Sequence, residues 1–183
     1  INLIREAFPE LYRTVQVSPW KRDHVLYVTT AGKRKFEAEL DELVNVKMKA
    51  NAVAIGEAAS HGDLSENSEY KFALEERDLL RARMSQMQEQ LNMAQVLSPE
   101  EVVLEQIGFG ARVTFRHSDG ASAHTITFLG PWEADADRGI YNYKSPLGQS
   151  AMGLAVGETV ELAMFHPPGT YTVEKIESAL SKE

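Results

Sequence analysis

The chain has 183 residues, 43% hydrophobic and 25% charged, with no cysteine and a formal net charge of −8. That length and apolar content suffice for one or two domains with a real core. The lack of cysteine excludes disulfides and thiolate metal sites and fits a cytoplasmic setting, while the acidity argues against broad nucleic-acid binding and toward a protein partner with a positively lined cavity. Mild acidity also serves plain solubility. There is no charged-then-apolar leader and no run approaching 18 apolar residues, so neither export nor membrane spanning is expected. The chain starts at Ile1 rather than Met, which leaves room for an upstream segment.

Residues 1–26 are read as an extension, with Leu3, Ile4, Ala7, Phe8, Leu11 and Tyr12 at near-helical spacing before Ser18-Pro19-Trp20. Val25–Val28 is short and β-prone, and Thr29-Thr30 offers a helix N-cap. From about Ala31 to Ala59, Phe36, Leu40, Leu43, Val46, Ala50 and Val53 recur three and four apart, the pattern of a coiled-coil seam. It resumes at Tyr70, Ala73, Leu74, Leu80, Met84, Met87, Leu91 and Ala94 and ends near Ser98-Pro99. Two such segments joined through Gly62 predict an antiparallel helical hairpin over 27–97, a rod of about 45 Å for roughly 30 residues per arm.

After a linker at 98–106 the pattern turns to β. Strands are expected at 111–116, 124–129, 139–144, 159–165 and 171–176, with one short helix from Ser145-Pro146 to Met152, stopped at Gly153. Residues 107–183 therefore predict a small α+β module on an antiparallel sheet.

The most informative stretch is His61-Gly62-Asp63-Leu64-Ser65-Glu66-Asn67-Ser68-Glu69-Tyr70, midway between the two helical arms. Asp63 and Glu66, three apart, suit a capping box with Asp63 as N-cap and Glu66 at N3. They equally suit part of a Mg²⁺ site, because hard cations take oxygen ligands and often bind through one or two carboxylates plus substrate oxygens. Two carboxylates alone make an incomplete site, to be finished by a partner. His61 is a possible third ligand or base, or simply a turn residue. The other histidines show no zinc spacing, and no dinucleotide fingerprint, Walker sequence or serine-hydrolase elbow is present.

The tip sequence His61-Gly62-Asp63-Leu64-Ser65-Glu66-Asn67, with Glu69-Tyr70, resembles the signature of the bacterial GreA/GreB transcript cleavage factors. A second resemblance lies in Phe128-Leu129-Gly130-Pro131-x-Glu133-Ala134-Asp135, Ser145-Pro146-Leu147-Gly148, Gly153 and Val156-Gly157-Glu158-Thr159-Val160. Together they cover roughly residues 27–178. The resemblance implies an N-terminal coiled-coil finger and a C-terminal FKBP-like domain that docks at the rim of the RNA polymerase secondary channel. Asp63 and Glu66 would then help hold a second Mg²⁺ and position water at the polymerase centre, where the polymerase cleaves the 3′ end of backtracked nascent RNA. His61, Gly62, Ser65, Asn67 and Tyr70 would shape the tip, Ser65 by supporting the helix start.

On this reading the chain is an activator and not itself an enzyme, with no cofactor held stably alone, and a monomer is favoured. The alternatives are a channel-binding regulator that inhibits without cleavage, a prolyl isomerase suggested only by the FKBP-like resemblance, and a plain coiled-coil adaptor. Two departures stand out. Residues 1–26 have no counterpart in short family members, and Ala59 and Leu74 occupy places where some members carry an RNA-holding Arg, with Lys71 as a partial substitute. Weaker stimulation, or a preference for short backtracked RNAs, is the expected result.

Overall fold

The computed structural model describes residues 22, 24–60 and 67–180. The expected N-terminal amphipathic helix, and His61, Gly62, Asp63, Leu64, Ser65 and Glu66, lie outside the described residues.

Strand β1 (Leu26–Val28) leads into the ascending arm of the hairpin, which is α1 (Thr30–Glu42), a π-helical turn (Leu43–Lys47) and α2 (Met48–Ser60). Thr29 caps α1 by accepting the Gly32 N–H. The descending arm is α3 (Ser68–Met93), followed by β2 (Ala94–Val96), which pairs in parallel with β1.

On α3 the seam Tyr70, Ala73, Leu80, Met84, Met87 and Leu91 faces inward as expected. On the ascending arm the expected seam holds only through Leu43. Val46 and Val53 are 58% and 59% exposed, and Ala50 is exposed too. Met48, Asn51, Ile55 and Ala58 take the inward places instead. The π turn is the cause: Met48 N–H reaches back to Leu43 O, an i to i+5 bond that absorbs one extra residue and leaves Leu43 and Met48 five apart on the same stripe. Deleting Asn45, exposed within that turn, would therefore restore an unbroken three-four repeat. Its thermal midpoint, followed by circular dichroism, is expected to stay within about 4 °C of the parent, under ~1 kcal/mol. Deleting Ser85 from the uninterrupted α3 should cost far more, because it rotates half a seam to solvent.

The C-terminal sheet has strand order β5-β4-β3-β7-β6, with β3 (Ala111–His117), β4 (Ala123–Leu129), β5 (Ile140–Asn142), β6 (Thr159–Leu162) and β7 (Gly169–Ser178). The expected strands all form, but the sheet is mixed, not wholly antiparallel. The connection 130–139 carries the chain back along β4, so that β5 pairs with it in parallel, Thr127 opposite Ile140. Helix α4 (Pro146–Ala151), capped by Ser145, is the one short helix expected.

Alternation on β3 turns Ala111, Val113 and Phe115 inward, where they meet Phe128, Tyr171 and Val173. Each fully buried large side chain contributes about 1.5–3 kcal/mol. Tyr27 of β1 belongs to this same core and donates its N–H to Tyr143 Oη at 3.1 Å. Burial pushes the Tyr143 hydroxyl up to about 12, so it stays neutral in its apolar setting. The finger thus begins on a strand rooted in the C-terminal domain.

Candidate functional site at the finger tip

The tip is framed by one side chain. Asn67 donates from Nδ2 to Ala58 O at 2.8 Å, the last inward position of α2, and accepts the Tyr70 N–H at Oδ1 at 3.0 Å. It therefore ties the end of the ascending arm to the start of the descending one. Asn suits this because a single amide offers both the acceptor a helix N-terminus needs and a donor for a helix C-terminal carbonyl.

This geometry corrects the capping alternative for Asp63 and Glu66. Helix α3 starts at Ser68, with Asn67 as its N-cap and Glu69 as the acidic group of its first turn. The described helix takes its N-cap from Asn67 and not from a capping box at Asp63 and Glu66, while Ser65 lies outside the described residues. Tyr70 is half-buried at the first inward position of α3, next to the Asn67 cap. The structure does not place Asp63 or Glu66 themselves.

Just below the tip an open groove is lined by Ala54, Glu57, Glu69, Phe72 and Glu76 among others. Three carboxylates there give this face a negative potential unsuited to RNA phosphates. Lys71, exposed, is the only Lys or Arg in residues 61–76; Ala59 is exposed and Leu74 half-buried. Glu76 also accepts at Oε2 from Asn51 Nδ2 at 2.9 Å, and the same nitrogen donates to Ala73 O at 2.9 Å. Asn51 is 4% exposed, a polar group inside the seam, and nothing in the apolar periodicity marked it.

Among the described residues no group of three or more His, Cys, Asp or Glu could hold a metal, and no helix is long and apolar enough to cross a membrane.

Comparison with known proteins agrees with this two-part layout. The family "Transcription elongation factor, N-terminal" matches residues 26–96, and "Transcription elongation factor, GreA/GreB, C-term" matches 101–178. Transcription elongation factor GreA of Treponema pallidum is 34% identical over 154 residues, 84% of this chain and 95% of that protein. GreA of Thermodesulfovibrio yellowstonii is 35% identical, covering 81% of this chain and 93% of the relative. GreA of Chlamydia trachomatis is 38% identical over 78% of this chain but only 20% of its own length. Among solved structures, GreA factor homolog 1 (Gfh1) of Thermus thermophilus shares 20% identity over 84% of this chain and 99% of that one, at a TM-score of 0.39, too low to carry an argument. With both halves matched in order and relatives above 30% identity across most of their length, the chain belongs to the GreA/GreB family of transcription elongation factors.

Proposed function

We propose that this chain stimulates transcript cleavage by RNA polymerase. Its C-terminal domain docks at the rim of the secondary channel, the finger passes inward, and Asp63 and Glu66 reach the catalytic centre beside the 3′ end of backtracked nascent RNA. The polymerase performs the hydrolysis and resumes elongation. The chain is an accessory factor that acts as a cytoplasmic monomer, not a self-contained enzyme.

The observation that supports this reading is the Asn67 tie, which joins the two arms of a stiff helical rod on either side of the acidic segment in the sequence. Two carboxylates in the short segment that joins the arms suit delivery to a partner. The donor set fits Mg²⁺, since Asp63 and Glu66 offer only hard oxygens and leave the remaining ligands to the polymerase. Such an ion, when bound, supplies Lewis-acid stabilisation and a water of lowered pKa. The chain's own part is to carry and orient two carboxylates, which is why an otherwise ordinary hairpin ends in Asp-Leu-Ser-Glu.

The test is RNA cleavage in a purified, backtracked elongation complex with Mg²⁺, comparing the parent with Asp63→Asn and Glu66→Gln. Each variant is expected to lose at least about tenfold in stimulated rate, because even groups one shell removed from a metal cost that much. Binding to polymerase should be retained. A parent that binds yet only inhibits would make this a channel-occupying regulator, and equal activity in all three would remove the tip carboxylates from the mechanism.

A further inference from the structure

Helix α1 lacks what an isolated helix of this sequence should have at its N-terminus. Its first turn carries no acidic residue, and Lys33, Arg34 and Lys35 follow, the wrong sign for the positive end of a helix dipole. With Thr29 as N-cap, the N3 position is Gly32, where a capping box would place Glu or Gln to take the N-cap N–H.

That missing carboxylate comes from the other domain. Glu133 Oε1 accepts from Thr29 N at 2.6 Å and from Thr29 Oγ1 at 2.7 Å, while Thr29 Oγ1 itself accepts from Gly32 N at 2.9 Å. Gly32 is glycine for a steric reason: a Cβ there would stand 2.0 Å from Glu133 Oε1. Gly130 makes the same room from the other side, since its Cβ would lie 2.6 Å from Tyr27 O and 2.7 Å from Glu133 Oε2. Next door, Trp132 stacks on Phe36 of α1 with ring centroids 4.1 Å apart and planes 8° from parallel. Trp132 Nε1 and Glu133 Oε2 are both buried without a hydrogen-bond partner. Two unsatisfied polar atoms at one contact are a cost the fold bears, and local stability does not account for it, because a Glu at position 32 would cap α1 without leaving any domain.

We infer that Glu133 and Trp132 are positioning residues that aim the finger: Glu133 caps α1 in trans, Trp132 stacks on Phe36, and together they fix the axis of the rod relative to the docking domain. Strand β1 anchors where the finger leaves that domain, through Tyr27 on Tyr143. Glu133 and the Trp132–Phe36 stack fix its direction. A small angular error at the base becomes a large displacement at the end of a ~40 Å rod, and misplacement by ~1 Å at a reacting centre can cost about 100-fold. The consequence for cleavage rests on the function proposed above; the clamp itself does not.

The absence of cysteine allows clean labelling at two exposed positions, Ala52→Cys on the finger and Ser118→Cys on the C-terminal domain. Distances between spin labels are then measured in the free full chain. The parent should give one narrow distribution, Glu133→Gln a nearly unchanged one, and Glu133→Ala a broad one. The decisive variant is Gly32→Glu with Glu133→Ala, which moves the carboxylate into α1. Thermal stability should return to near the parent while the distance distribution stays broad. In backtracked complexes that double variant should need the same concentration for half-maximal effect, yet reach a maximal cleavage rate on the order of tenfold lower. A narrow, unshifted distribution in Glu133→Ala, or recovery of both aim and rate in the double variant, would overturn the inference. If the parent stimulates no cleavage, the functional reading falls while the distance distributions still decide the clamp.

Discussion

Gly148→Ala is expected to destabilise the C-terminal domain by about 3 kcal/mol or more, at the upper end of what single substitutions do. The reason is backbone against backbone. A Cβ at Gly148 would lie 2.2 Å from Tyr143 O and 2.7 Å from Asn142 O, and neither carbonyl can step aside. Asn142 O accepts the Ser145 N–H at 2.9 Å, Tyr143 N–H is bonded to Leu129 O at 2.9 Å, and Lys144 N–H is held by Asn142 Oδ1 at 2.9 Å. The segment 142–145 is thus fixed at every residue, and α4 must lift away from it. Lifting α4 would open the core at Leu147 and Ala151 and loosen Tyr143, the ring on which β1 rests. Gly56→Ala is the control. It sits in α2 with nothing within 4 Å of the new methyl, and it should stabilise the finger by about 0.5–1 kcal/mol because Ala loses less backbone entropy in a helix. Urea unfolding of the full chain, followed separately by near-UV and far-UV signals, reads both changes; similar shifts for the two glycines would contradict the steric account.

Gly148 also shows what kind of information the sequence held. The Ser145-Pro146-Leu147-Gly148 run announced a helix start, because Ser caps and Pro at the first helical position are local devices. The need for glycine at its end was not local, since the colliding carbonyls belong to the preceding turn as folded. The same division recurs along the chain. On α3 the seam from Tyr70 to Leu91 was legible because an uninterrupted repeat depends only on spacing. On the ascending arm the same arithmetic failed past Leu43, since a π turn has no composition of its own and moves every later inward position one or two residues along the chain. Asp63 was read as a possible cap because Asp-x-x-Glu fits a capping box, whereas Asn67 won by bonding both helices at once, a contact spacing cannot show. β5 was found as a strand, but its parallel direction depends on the path of 130–139. Glu133 was visible only as part of a motif. Its partner Thr29 stands 104 positions earlier, so no local rule could join the two. The acidic segment at 61–66 stands out by residue type and midpoint location, and those arguments concern delivery, not fold.

Asn51→Asp should undo the tip half of the finger while leaving the C-terminal domain folded. Asn51 is the one polar residue among the buried side chains of the described residues, and its Nδ2 donates to two acceptors on α3, Ala73 O and Glu76 Oε2. An aspartate of the same shape replaces that donor with a third acceptor and adds a negative charge about 3 Å from an existing carboxylate. Breaking a buried charged contact in this way costs about 3–5 kcal/mol. The introduced carboxyl would have its folded-state pKa raised by burial and by Glu76. The penalty is then full above that raised value, shrinks as pH falls through it, and is gone below the ordinary carboxylate value of about 3.9. Asn51→Leu gives the opposite outcome. It removes the donor together with its desolvation cost, so the hairpin should be as stable as the parent or more so, while losing the polar contact that pins Asn51 against Ala73 and Glu76. The two variants therefore separate stability from register. Amide exchange along α2 and α3 should be fast for Asn51→Asp near neutral pH and slow for Asn51→Leu. Both are expected to lower stimulated cleavage, the first because the rod melts below the Asn67 tie, and the second because a well-packed rod with a slipped register presents residues 61–66 at the wrong height. Full cleavage by Asn51→Leu would show that apolar packing and the Asn67 tie alone hold the register.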